Sequence, residues 1–271
     1  MIKKSFTANK NGKLSKLVAE NIEQLSYSAF MKALRKKDVK VDGVRTNVDK
    51  NVCSGQEITI FYAEQQVEPL FDTIYKDQNI LLVNKKQGVL SETLFDIVKE
   101  QNPDARFIHR LDRNTRGLII FALNEQAEKP LLDGFKNRTF DKKYHALVMG
   151  KPPKKQDVIT AYLLKDEEKS TVQIFSNQVK GSVCIKTGYK VVAEYKDSSL
   201  LEVDLYTGKT HQIRAHLAFI GCPIVGDGKY GDFEFNKLKK AKAQELIAKS
   251  LTLRFDKDSV LYYLNEKTFN V

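Results

Sequence analysis

His109-Arg110-Leu111-Asp112-Arg113-Asn114-Thr115-Arg116-Gly117 runs directly into the apolar stretch Leu118-Ile119-Ile120-Phe121-Ala122-Leu123. An unbroken apolar run of this length, bounded by polar residues, indicates a buried strand. The polar segment at its mouth is therefore held by a rigid element, as a functional site requires. It contains one carboxylate, Asp112, among Arg110, Arg113 and Arg116. A carboxylate in that company stays charged and available as a nucleophile or base. It could equally neutralise a turn.

A second polar-rich segment lies farther on, Leu205-Tyr206-Thr207-Gly208-Lys209-Thr210-His211-Gln212-Ile213-Arg214. Helical spacing over 210–220 puts Ile213, Leu217 and Ile220 on one face, with Thr210 as the expected cap and Gly221 and Pro223 as the stop. Gly226-Asp227-Gly228-Lys229-Tyr230-Gly231 follows; Asp227 is either a second carboxylate of an acid–base pair or part of an ordinary turn. His211 and His216 are five apart, off the spacing that places two ligands on one helical face, and no cysteine cluster is near. No metal site is expected. Nor does a G-x-G-x-x-G or Walker sequence offer a seat for a nucleotide cofactor.

Outward from these segments the pattern is α+β with strands dominant. Paired strands are expected at 73–75 and 80–83, helices at 94–100 and 125–135, and further strands at 143–149, 158–164, 183–194 and 200–205. The irregular alternation argues against a doubly wound parallel sheet. The first part of the chain reads as a separate small unit. Leu14, Leu17, Val18, Ile22 and Leu25 form one helical stripe, and Phe30, Ala33 and Leu34 line a second short helix capped by Ser26 or Ser28. A hairpin around Asp42-Gly43 and a last strand, 57–62, complete it. The aperiodic, Pro69-containing stretch 63–71 is the expected linker, giving domains 1–63 and 70–271.

At 271 residues, with 42% hydrophobic and 29% charged residues, the chain belongs with globular proteins and not with disordered ones. Its longest apolar run is far below the roughly 20 residues of a membrane span. Three cysteines without a C-x-x-C pair, and a basic start with no apolar stretch behind it, point to a reducing cytoplasm and no export signal. The net charge is +11, and residues 1–63 carry twelve Lys or Arg against six acidic groups. Such a concentrated surplus suggests a polyanionic partner, most simply nucleic acid, although a solvated lysine-rich surface would show the same excess.

Taken together the motifs are far more specific. H-R-L-D-R-N-T-x-G-L-I-I-F-A-L-N, the strand Lys143-Tyr144-His145-Ala146-Leu147-Val148-Met149-Gly150, and T-G-K-T-H-Q-I-R-A-H-L-A-F-I-G-C-P-I-V-G-D-x-x-Y-G resemble three segments of the RluA family of RNA pseudouridine synthases, in that family's order. Ile74-Tyr75-Lys76-Asp77 and Leu82-Val83-Asn84-Lys85 resemble its opening strands, and the likeness spans about residues 70–265. Residues 12–62 resemble the alpha-L RNA-binding domain, in which Lys32, Arg35, Lys36, Lys37 and Lys40 would track phosphates.

The resemblance implies a mixed, mostly antiparallel catalytic sheet and an isomerase that detaches uracil from ribose in ribosomal or transfer RNA and rejoins it through carbon. It implies no cofactor, no DNA partner and a monomer. Asp112 would be the essential carboxylate, acting by attack on the sugar or through a glycal-like intermediate. Arg214 would be its partner, and Tyr144 would pack against the base. Arg110 would fill the gap left by a flipped nucleotide, with His109, Thr115, Lys209, His211 and Gln212 around it. The other reading is a catalytically silent RNA-binding or ribosome-assembly protein on the same fold. Arg116 stands where the family usually has Ser, Lys209 where it has Arg, Lys86 where it has Pro, and Ile247 where it has His. These departures bear on which RNA is chosen.

Overall fold

The computed structural model describes residues 1–22, 25–63 and 69–271, and the chain divides into two compact units, Met1–Glu68 and Pro69–Val271. Of the expected linker, residues 64–68 lie outside the described residues.

The first unit contains β1 (Ile2–Thr7), β2 (Gly12–Lys13), α1 (Leu14–Asn21), α2 (Tyr27–Arg35), β3 (Val39–Val41), β4 (Val44–Thr46), β5 (Asn51–Val52) and β6 (Glu57–Tyr62). The expected helical faces are buried together: Leu14, Leu17 and Val18 of α1 pack with Phe30, Ala33 and Leu34 of α2 against Val39, Ile58 and Ile60. Ser26 caps α2 by accepting the Ala29 N–H, while Ser28 lies inside the helix. Asp42 and Gly43 both take positive φ, 50° and 77°, as a tight hairpin turn requires. Strand β1 departs from expectation. It pairs antiparallel with β6 at the edge of a sheet ordered β1-β6-β3-β4. Only Ile2 and Phe6 reach the core, and the lysines between them hide the alternation.

The second unit contains β7 (Phe71–Lys76), β8 (Ile80–Lys85), α3 (Ser91–Gln101), β9 (Arg106–Phe107), β10 (Arg116–Ala122), α4 (Glu125–Asn137), β11 (Asp141–Met149), β12 (Gln156–Asp166), β13 (Thr171–Phe175), β14 (Val183–Glu194), β15 (Ser198–Leu205), α5 (Gln212–Phe219), α6 (Phe233–Leu238), β16 (Leu246–Thr252) and β17 (Thr268–Asn270). Its main sheet runs β13-β12-β14-β15-β11-β16-β10-β8-β7. All pairings are antiparallel except β10 with β16, so this is the α+β, mostly antiparallel class expected from the sequence.

Strand β10 explains its own composition. Leu118, Ile120 and Ala122 face the core under α4, while Ile119 and Phe121 face the core under α3. Both faces are covered, so no polar alternation survives; each fully buried aliphatic side chain stabilises by about 1.5–3 kcal/mol. Strand β16 joins two antiparallel meanders. It pairs with β10 at Arg116↔Ile247 and Gly117↔Ala248, and with β11 through Tyr144↔Ala248, where the register shifts between Lys143 and Tyr144. Asp112 and Tyr144 thus stand at one seam.

Candidate active site

The loop ahead of β10 is fastened on both sides. The Ser91 hydroxyl donates to Leu111 O (2.9 Å) and accepts the Leu111 N–H (3.0 Å). Lys85, fully buried at the end of β8, donates to the carbonyls of Val89 (2.8 Å), Arg113 (3.1 Å) and Lys86 (3.2 Å). Burial lowers its pKa to about 8, against the opposing pull of the Asp112 charge. Sequence reasoning saw Lys85 only as a match in an opening strand. A lysine following a run of apolar residues is the available signal that it is drawn inward.

Asp112 therefore projects from a rigid turn into a cleft of about 470 Å³, a volume within the ordinary range of small-ligand sites. Tyr144, Arg214, Arg110, His109, Thr115, Lys209, His211 and Gln212, the residues expected around it, border the same cleft, whereas Arg113, Arg116 and Asp227 do not line it. Arg214, on the first turn of α5, donates from Nη1 to Asp112 Oδ2 at 2.9 Å. The rest of its guanidinium is gripped by buried Asp227: Nε to Oδ2 at 2.7 Å and Nη2 to Oδ1 at 2.9 Å. Asp227 Oδ1 also accepts the N–H groups of Lys229 (2.8 Å) and Tyr230 (3.1 Å). Burial opposes both charges, but the pairing overcomes it: Arg214 is raised above its usual range and Asp227 held below its own. Asp227 is the turn residue that one reading expected, holding the backbone N–H groups that follow it, and its buried carboxylate does a second job. It orients the arginine that orients Asp112.

The expected ring of arginines around Asp112 does not form. Arg110 pairs with Glu92 at 2.8 Å, Arg113 donates to Gly88 O at 3.0 Å, and Arg116 turns to Glu245 at 3.8 Å. Successive residues leaving a turn point in different directions, so sequence proximity did not become spatial proximity. The guanidinium bonded to Asp112 is that of Arg214, 102 positions away.

Tyr144, on β11, is buried at the cleft wall with Leu111, Ala146 and Ile213. Burial, then the Asp112 charge, raises its pKa, so its phenol stays protonated. His109 is an uncharged wall. Its Nε2 accepts the Ile120 N–H (3.1 Å), its ring stacks on Phe135 (4.2 Å between centroids), and burial, then Lys142, lowers its pKa to about 3. Thr115 is turned inward, accepting from the Gln244 amide at 2.8 Å.

Two expectations are corrected at α5. Thr210 does not cap the helix; His211 occupies the N-cap in left-handed conformation (φ 55°), with no side-chain cap. Gln212, expected near the nucleotide, is buried and committed to the protein. Its oxygen accepts from the Thr207 hydroxyl (2.8 Å) and the Lys209 N–H (3.1 Å), and its nitrogen donates to Thr187 Oγ1 (2.9 Å) and Lys186 O (3.2 Å). This clamp folds the loop before the helix and leaves Lys209 exposed at the rim. The same cleft is lined by Lys136, Arg138 and Lys142, cations that no motif singled out. Among the described residues no group of three or more His, Cys, Asp or Glu side chains gathers as metal ligands would. Lys32, Arg35, Lys36 and Lys37 belong to the first unit, all exposed, at and beyond the end of α2.

Fold and cleft thus define an enzyme site built on one carboxylate locked to a buried arginine. The model of the RNA pseudouridylate synthase family matches residues 73–219, more than half of the chain. Ribosomal large subunit pseudouridine synthase C of Escherichia coli (strain K12) is 30% identical over 258 residues, covering 86% of this chain and 81% of its own. An uncharacterized RNA pseudouridine synthase, YlyB of Bacillus subtilis (strain 168), is 28% identical over 245 residues, 82% of this chain and 80% of its own. Among solved structures, human RNA pseudouridylate synthase domain containing 1 superposes with a TM-score of 0.62 at 27% identity, over 70% of this chain and 81% of that one. The chain belongs to the RNA pseudouridine synthase family, isomerases that convert uridine to pseudouridine within RNA.

Proposed function

We propose that this enzyme isomerises uridine in ribosomal RNA, with Asp112 as the group that meets the sugar. The single observation carrying this reading is the pairing of a cleft-facing carboxylate, Asp112, with Arg214 at 2.9 Å. A glycosidic carbon losing its base becomes oxocarbenium-like, and a fixed carboxylate can stabilise or trap that charge. Arg214 acts as a positioning residue, Tyr144 packs against the base, and Arg110, Lys209, His109 and His211 surround the extruded nucleotide. The ribosomal assignment rests on relatives named as large-subunit enzymes; transfer RNA is the other candidate. An alpha-L-like first unit would hold flanking phosphates through Lys32, Arg35, Lys36 and Lys37. The reaction is an isomerisation without redox change, so no metal or organic cofactor is required. Among the described residues no helix is long and apolar enough to cross a membrane, and the proposed place of action is the cytoplasm, as a monomer.

Pseudouridine mapping over all ribosomal and transfer RNAs, in a strain lacking the gene and in the same strain complemented, tests this. The expected result is one or more large-subunit sites lost and restored by the wild-type gene but not by Asp112→Asn. A lost site confined to transfer RNA would replace the ribosomal assignment, and an unchanged map would overturn the reading. Activity should persist in excess chelator at fixed ionic strength.

A further inference from the structure

Arg214 is not the only group aimed at Asp112 Oδ2. His211 Nε2 lies 3.9 Å from the same oxygen, and its side chain is largely buried at the cleft edge. The other ring nitrogen, Nδ1, is 3.0 Å from the hydroxyl of Tyr230. That hydroxyl already accepts the Val172 N–H of β13 at 2.8 Å. A phenol carries one hydrogen. With Val172 as its donor, the Tyr230 hydroxyl has His211 Nδ1 as the acceptor for that hydrogen among the described residues. A proton on Nδ1 would leave the hydroxyl hydrogen without a partner. The neutral imidazole therefore carries its proton on Nε2, pointing toward Asp112. Tyr230 touches both groups that approach the carboxylate: the Arg214 guanidinium lies over its ring at 5.2 Å, and His211 stands edge-on to it at 5.6 Å. The charged groups facing His211 are Asp112, Arg214, Lys229 and Asp227, and burial outweighs them to lower its pKa, consistent with an uncharged ring.

We propose that Tyr230 and His211 form a positioning pair: Tyr230 fixes the His211 tautomer, and the resulting Nε2–H joins Arg214 in holding Asp112 Oδ2, so that Oδ1 is the oxygen presented to the ribose. The 3.9 Å separation closes to a hydrogen bond when RNA fills the cleft, as active-site hydrogen bonds commonly do on substrate binding. No hydrogen bond is made to Oδ1 among the described residues, whereas Oδ2 is addressed from two sides. This inference rests on the assignment of Asp112 as the reacting carboxylate.

His211 sits in left-handed backbone conformation, which Asn tolerates better than most residues, but an Asn amide reaches only as far as Nδ1. Gln is less suited to that backbone, yet its amide nitrogen reaches the place of Nε2. If His211 matters only for the backbone, His211→Asn is the better enzyme; if it matters as the Nε2 donor, His211→Gln is. Single-turnover isomerisation at saturating RNA should slow about 10- to 100-fold in His211→Asn, the value of one hydrogen bond to a charged group, a larger loss than that in RNA affinity. His211→Gln should recover most of that rate. Long-range nitrogen–proton NMR on histidine-labelled protein, without RNA, should show His211 with its proton on Nε2, and Tyr230→Phe should mix the two tautomers in a chain that still melts cooperatively. His211→Asn faster than His211→Gln, a proton on Nδ1 in the wild type, or an unchanged tautomer in Tyr230→Phe would each overturn the proposal. A wild-type protein inactive on every RNA would count against the Asp112 reading instead, since the tautomer is measured without substrate.

Discussion

Asn matches Asp in shape but carries no charge, and at position 112 that difference separates binding from chemistry. Asp112→Asn should bind RNA within about twofold of wild type while single-turnover isomerisation falls by about 10³-fold or more, because in the proposed reaction the carboxylate acts on charge that develops only in the transition state. A rate near wild type would show that another group reacts. Asp227→Asn should behave differently. It breaks a buried ion pair and strands the Arg214 charge, costing about 3 kcal/mol of stability in urea melts as well as turnover. Asp112 was legible in the sequence because its surroundings form a dense motif. Asp227 was not, since Gly-Asp-Gly occurs in many turns and only its burial reveals the clamp. Arg113 and Arg116 misled for the opposite reason: adjacency along a turn says nothing about where a long side chain comes to rest.

Elements place these groups, and two of them can be tested directly. Strand β10 begins next to Gly117 at φ +116°, where an added Cβ would lie 2.3 Å from the Ala248 carbonyl oxygen. Gly117→Ala should cost about 3 kcal/mol or more, seen as a large drop in melting temperature, because the parallel contact with β16 has to open. In α5, His216 is fully buried and hydrogen-bonded through Nδ1 to Thr187, and burial lowers its pKa to about 4. The unfolded chain takes up this proton near pH 6.5 and the folded chain only near pH 4. Stability is therefore full above pH 6.5 and is lost as pH falls toward 4, by on the order of 3 kcal/mol. The urea midpoint should fall with acid over that window, and His216→Leu should flatten the fall; an equal slope in both proteins would sink the assignment. The two-faced strand β10 and the stripes of α1 and α2 were legible from periodicity. The start of α5 was not, because a side chain inside the helix, Gln212, folds the preceding loop and displaces the expected cap. Strand β16 was missed because Lys249 and Ser250 interrupt its apolar pattern while its neighbours come from distant parts of the chain.

For the molecule as a whole, the positive surplus is the property most open to measurement. Replacing Lys32, Arg35, Lys36 and Lys37 together by Gln in the full chain should weaken RNA binding and flatten its salt dependence by roughly 0.7–0.9 in log–log slope for each lost phosphate contact. Isomerisation of a short saturating substrate should change little. An unaltered slope would make these residues ordinary solvated charge. Composition made the partner legible as a polyanion, but an excess of charge cannot say which RNA, since phosphates carry no sequence. The seam strand has a different consequence, one of timing. The ribosome delivers residues 246–252 only after both meanders of the sheet have been made. Until then β10 and β11 each present an open edge, and unpaired edges invite intermolecular pairing. Because Gly117 waits for Ala248 across more than a hundred residues of chain, closure of the sheet is a late, long-range step. Synthesis arrested before residue 246 would release two half-sheets with no strand to join them.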